Sequence, residues 1–138
     1  MNEIKERLTV SLLKILDLDV TKVLKLFLEG EISVLFLLFR TQKTYSPTEI
    51  AKELDLSKGR VATLLNSLYD KGHIEIEMSA SDRRSFNVSL TKKGLLVLSE
   101  KMMVADGYFD KLVNELGVKK TTDLVDILDE AVEIMKEE

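Results

Sequence analysis

Ser57-Lys58-Gly59-Arg60-Val61-Ala62-Thr63-Leu64-Leu65-Asn66-Ser67-Leu68-Tyr69-Asp70-Lys71-Gly72-His73-Ile74 is the stretch from which the rest of the chain is read. Val61, Leu64, Leu65 and Leu68 recur at intervals of three and four, so they share one face of a helix. Ser57 is an N-cap residue type just before that helix, and the spacing predicts helix over 58–71 with Gly72 immediately past its end. Lys58, Gly59, Arg60, Thr63, Asn66 and Ser67 fall outside the apolar stripe. Gly59 costs about 1 kcal/mol against alanine inside a helix, yet it leaves the backbone open to close approach by a partner. At His73 the helical period gives way to a period of two.

Working outward, Ile74, Ile76 and Met78 alternate with Glu75 and Glu77, and Phe86, Val88 and Leu90 alternate with Ser85, Asn87 and Ser89. Two alternating runs around Ser79–Arg84 predict a β-hairpin. Without an Asn-Gly turn, its tip is expected to be longer and open. Upstream, Ser46-Pro47-Thr48-Glu49 is a helix start: Ser46 caps, Pro47 takes the first helical position, and Glu49 can complete a capping box. That helix carries Ile50, Ala51 and Leu54 and stops near Asp55-Leu56. Thr44-Tyr45 is read as a very short strand. Residues 29–42 are read as a helix with Ile32, Leu35, Phe36, Leu38 and Phe39 inward.

Residues 3–28 are apolar at helical spacing on more than one side (Ile4, Leu8, Leu12, Ile15, Val23, Leu24 and Phe27, widened by Leu13, Leu16 and Leu26), with a break expected around Asp17, Asp19 and Thr21. Downstream, Thr91 caps a long helix from Lys92 to about Leu116, with Gly107 a position for a bend and Gly117 its end. A last helix, about 120–136, carries Leu124, Ile127, Leu128, Ala131, Ile134 and Met135. The fold class is mainly α with a small β-hairpin, in the order α-α-β-α-α-β-β-α-α, a winged helix-turn-helix.

The bulk properties narrow the function. A chain of 138 residues fits one domain and buries a core without staples. No cysteine is present, which excludes disulfides and thiolate sites, and one histidine excludes a multi-histidine zinc site. The start is a mixed-charge stretch with no leader pattern, and no apolar run is long enough to cross a bilayer, so a cytoplasmic protein with no membrane partner is expected. The net charge of −4 is unevenly spread: residues 43–93 carry 9 basic and 7 acidic groups, whereas 94–138 carry 5 and 11. The middle is the only net-positive third, so a DNA face must be built locally, away from the acidic C-terminal segment. No activated nucleophile and no glycine-rich phosphate loop is visible, so neither an enzyme nor a cofactor is expected. His73 is read as a corner residue, Tyr45, Tyr69 and Tyr108 as core rings, and the acidic Asp123, Asp126, Asp129, Glu130 and Glu133 as a solvated helix face.

A winged helix-turn-helix binds DNA when one helix is polar enough to enter the major groove, a preceding helix pins it, and a hairpin tip carries a cation to the neighbouring minor groove. Helix 58–71 meets the first demand, although an ordinary solvated face fits the same residues as well. The tip decides it. Ser81-Asp82-Arg83-Arg84 places a carboxylate where it can brace an arginine, most simply Arg84, leaving Arg83 or Arg84 to enter the groove.

Taken together, Val61 to Ile74, then Asp82-Arg83-Arg84, then Leu90-Thr91-Lys92-Lys93-Gly94, resemble the signature of MarR-family transcription regulators. The shared parts are a recognition helix ending Leu-x-x-Lys-Gly, an Asp-x-Arg wing and a Leu-Thr-x-x-Gly entry to the next helix. The resemblance implies a single domain over 1–138, with a winged helix-turn-helix core at 29–95 and dimerisation helices at 1–28 and 107–138. It implies a homodimer on palindromic double-stranded DNA, acting as a repressor and answering to a small-molecule or acyl-type effector. The implied DNA-binding set is Ser46, Thr48, Ser57, Lys58, Gly59, Arg60, Thr63, Asn66, Asp82, Arg83 and Arg84. The family commonly has arginine where this chain has Thr63, which shifts base reading toward Lys58 and Arg60. The competing expectation is a winged-helix protein-interaction module without DNA binding, kept open by the modest local charge.

Overall fold

The computed structural model describes residues 2–78 and 85–136. In chain order its elements are α1 (Glu3–Leu16), α2 (Asp19–Lys25), α3 (Gly30–Thr41), α4 (Pro47–Leu54), α5 (Lys58–Asp70), β1 (Ile74–Met78), β2 (Phe86–Leu90), α6 (Lys92–Leu116) and α7 (Val118–Met135). Two compact units divide the chain, residues 1–102 and 103–138.

The core of the first unit is built on α3. Leu35 and Leu38 are buried as expected, but so are Val34 and Leu37, while Ile32, Phe36 and Phe39 are only partly buried against the same cluster. The expected one-sided stripe is therefore too narrow. α3 touches α4, α5 and β2, and a helix with neighbours on several sides is apolar most of the way round. Ile50 and Ala51 of α4, Val61, Leu64, Leu65 and Leu68 of α5, Ile74 of β1, Val88 of β2 and Leu98 of α6 complete the cluster.

The strands pair antiparallel in the register Ile74 with Leu90, Ile76 with Val88 and Met78 with Phe86. Tyr45, buried, bridges Val88 through two backbone hydrogen bonds, 3.2 and 2.7 Å, so the predicted short strand is a single bridge. The first predicted helix is two helices, α1 and α2, separated at Asp17-Leu18, where the Thr21 hydroxyl turns back to the Ile15 carbonyl. Phe27 then meets Phe36 edge-on, with ring centroids 5.1 Å apart, tying the segment after α2 to α3.

The second unit consists of the end of α6, a turn at Gly117 and α7, which begins at Val118 rather than about 120. α6 runs as helix through Gly107. Large apolar side chains are left exposed in each unit: Ile4, Leu8 and Leu13 on α1, and Met103, Val118, Ile127 and Ile134 in the second unit. Tyr69 and Tyr108 are exposed too, against the expectation of core rings, and only Tyr45 is buried. Among the described residues, no helix is long and apolar enough to cross a membrane.

The base of the hairpin is closed by Thr91. Its hydroxyl donates to the Gly72 carbonyl at 2.7 Å and accepts from the Gly94 amide at 3.0 Å, while its own amide donates to the His73 carbonyl at 3.2 Å. Gly94 lies so close to this corner that a Cβ there would overlap the His73 carbonyl oxygen and lie 2.9 Å from its carbon. This explains the glycine of the Leu-Thr-x-x-Gly pattern, because backbone cannot step aside as a flexible side chain can. Gly94→Ala is expected to destabilise the fold by about 2 kcal/mol, as overpacking does. Denaturant unfolding checks it, and an unchanged midpoint would show that the corner tolerates the methyl group.

Candidate nucleic-acid interface

Ser46 and Ser57 begin the two helices of the helix-turn-helix and cap them alike. Ser46 Oγ accepts from the Glu49 amide at 3.1 Å and Glu49 Oε1 accepts from the Ser46 amide at 3.2 Å, which completes the predicted capping box. Ser57 Oγ accepts from the Arg60 amide at 3.1 Å. Between them, Asp55 takes a left-handed conformation (φ 52) and the Leu56 amide donates to Ala51 at 2.9 Å, turning the chain from α4 into α5.

The rotation of α5 is set by its buried residues. Val61, Leu64, Leu65 and Leu68 are the buried ones, as the spacing predicted, and this turns Lys58, Gly59, Arg60, Thr63 and Asn66 to solvent. Ser46 is half-buried and Thr48 exposed at the start of α4. A groove of about 380 Å³ brings the neighbouring elements together: it is lined by Pro47 of α4, Lys58, Ala62, Leu65 and Asn66 of α5, Ile76 of β1 and Phe86 of β2. The start of α4, the polar side of α5 and the hairpin strands therefore share one surface. Asp82, Arg83 and Arg84 lie outside the described residues.

The polar groups of this surface differ in what they have free. The side chains of Lys58, Arg60 and Asn66 make no hydrogen bond or ion pair among the described residues. Thr63, by contrast, donates its hydroxyl proton to the Gly59 carbonyl at 3.1 Å, leaving a methyl group and an acceptor oxygen to face outward. The first turn of α5 holds no acidic residue, only Lys58 and Arg60, whereas that of α4 holds Glu49. Cations at the positive end of a helix oppose its dipole, so this arrangement favours an anion close by.

Two contacts were not foreseen from sequence. Glu31, in the first turn of α3, accepts from Lys71 and Ser67 at the far end of α5. Thr91 and Gly94 lock the base of the hairpin, as described above. Both join residues far apart in sequence, where no local spacing signals them.

Residues 30–85 match the profile of the MarR family. This segment, from α3 to the end of the hairpin's first strand and its tip in sequence, is similar to that family. A curated relative, the HTH-type transcriptional repressor YetL of Bacillus subtilis (strain 168), is 31% identical over 85 residues, covering 61% of this chain. The match spans 49% of that relative, about half its length. Among solved structures, Streptococcus pneumoniae FabT in complex with DNA superposes with a TM-score of 0.70 at 24% identity, covering 96% of this chain and 94% of FabT. A MepR variant from S. aureus bound to an oligodeoxyribonucleotide gives 0.66 at 20% identity, covering 93% and 98%. At these identities the superpositions establish the fold.

Within this winged helix-turn-helix Gly59 has no fold-based reason to be glycine. It takes no positive φ, and a Cβ built on it meets nothing within 4 Å. Gly59→Ala is expected to raise the unfolding free energy by about 0.5–1 kcal/mol through helix propensity alone. A fall in the denaturant midpoint would show that the position is needed by the fold after all.

Proposed function

We propose that this chain is a homodimeric transcription regulator that reads duplex DNA by sequence and represses from a palindromic operator. The observation that carries the reading is the single surface on which the start of α4, the polar side of α5 and the hairpin strands meet, with Lys58, Arg60 and Asn66 unpaired among the described residues. α5 is the recognition helix on this reading. Lys58 and Arg60 reach guanine edges or phosphates, Asn66 reads an adjacent base, and Thr63 offers its methyl group and acceptor oxygen. Gly59 keeps the helix backbone slim where DNA approaches. Ser46, Thr48 and Ser57 hold phosphate beside the two helix starts. The sequence expectation that Asp82 braces an arginine and that Arg83 or Arg84 contacts a minor groove falls outside the described residues.

The repressor assignment draws on the name of the B. subtilis relative, and the duplex partner on the DNA-bound FabT and MepR structures. On this reading residues 29–95 are the DNA-binding core, and residues 1–28 and 107–138 join two copies. The exposed apolar side chains of α1 and of the second unit support that assignment, since surfaces of this kind mark association sites and twofold dimers are the commonest closed assembly.

Selection of duplexes from a randomised pool tests the DNA reading. Arg60→Ala is expected to cost about 1–3 kcal/mol and relax preference at one position of each half-site. Lys58→Ala is expected to weaken all duplexes alike and flatten the salt slope by about one unit. If the protein enriches no sequence, and Arg60→Ala changes neither preference nor slope, a protein-interaction module becomes the better reading. For the assembly, sedimentation equilibrium at micromolar concentration is expected to give twice the chain mass. A stable monomer would remove residues 1–28 and 107–138 from the dimerisation role.

A further inference from the structure

Glu31 joins the two ends of the helix-turn-helix scaffold that the sequence leaves unconnected. Lys71 Nζ donates to both of its carboxylate oxygens, at 2.9 and 3.1 Å, and Ser67 Oγ donates to Oε1 at 3.3 Å. One carboxylate in the first turn of α3 thus holds the last turn of α5. Each charge lies at the helix end that favours it, Glu31 at the N-terminus of α3 and Lys71 at the C-terminus of α5. The Glu31 side chain is 31% exposed and that of Lys71 52%, so the pair contributes little to stability. A fixed three-point geometry acts instead on direction.

The lever is the length of α5. Its 13 residues place Lys58 at the opposite end from Lys71, about 20 Å away at helical rise, so a rotation of about 5° about the clamped end moves Lys58 by more than 1 Å. Hydrogen bonds to base edges do not survive a displacement of that size. We infer that Glu31 is a positioning residue for DNA reading, acting through Lys71 and Ser67 to hold α5 at the tilt its base contacts need. This rests on the DNA-binding reading above, and it assigns Lys71 to the scaffold rather than to phosphate.

The test uses a duplex that the full-length wild-type protein selects from a randomised pool, and a random-sequence duplex of equal length. Both are titrated over a salt series with wild type, Glu31→Gln, Lys71→Met, the double variant and Lys71→Arg, and thermal unfolding is recorded for each. The single variants are expected to lose about fivefold in affinity for the selected duplex and little for the random one. The double variant should be no worse than either single, as for coupled neighbours. The salt slope should stay unchanged, unfolding temperatures should stay close to wild type, and Lys71→Arg, which can still engage both carboxylate oxygens, should retain selectivity. The inference is overturned if Lys71→Met lowers the salt slope by about one unit while Glu31→Gln leaves binding intact or tighter, since Lys71 would then be a phosphate contact. It is overturned equally by parallel losses on both duplexes with a lowered unfolding temperature, or by no loss at all. If the wild type selects no duplex, the DNA reading falls, and the inference with it. That outcome is visible before any variant is made.

Discussion

Everything on the candidate surface depends on the burial of one helical stripe. Val61, Leu64, Leu65 and Leu68 of α5 enter the core beside Val34, Leu35 and Leu38 of α3 and Ile74 of β1. Full burial of such side chains contributes about 1.5–3 kcal/mol each. The same burial fixes the rotation of α5 about its axis, so the hydrophobic effect, which has no direction of its own, decides which polar residues face outward. A helix rotated by one residue would bury Lys58 or Thr63 and expose the core. Caps at Ser57 and Ser46 then fix where the two helices begin, and the Thr91 corner fixes where the hairpin leaves them.

What was legible in the sequence was what has a local period or a local partner. The stripe of α5, the capping box at Ser46 and the alternation into β1 and β2 each involve residues within four of one another, and each forms as read. The fold class follows from their order. The misreadings have a common cause in tertiary context. α3 is buried on more sides than an amphipathic pattern indicates, and Tyr69 and Tyr108, expected as core rings, are both exposed. Glu31 carries no signal at all, because its partners lie 36 and 40 residues away.

The candidate site was legible in a different sense. Sequence named Lys58, Arg60, Thr63 and Asn66 by their exclusion from the stripe, and the structure puts all four on the exposed side, Lys58 and Asn66 with Pro47, Ile76 and Phe86 around one groove. It also sorts them: Thr63 has committed its proton to Gly59, whereas Lys58, Arg60 and Asn66 are uncommitted among the described residues. Gly59 is the sharpest case, a helix-weakening residue at a place where the fold has room for a side chain. The overall charge of −4 does not oppose a nucleic-acid partner, because the first turn of α5 holds cations only and the acidic excess is confined to residues 94–138.

The central claim is that the polar side of α5 lies in a major groove, and guanine N7 faces that groove alone. Methylation of N7 in a duplex selected by the wild-type protein should therefore block binding at guanines in two half-sites, with centres about one helical turn apart as a twofold dimer requires. Binding that tolerates N7 methylation throughout the selected sequence would contradict the account.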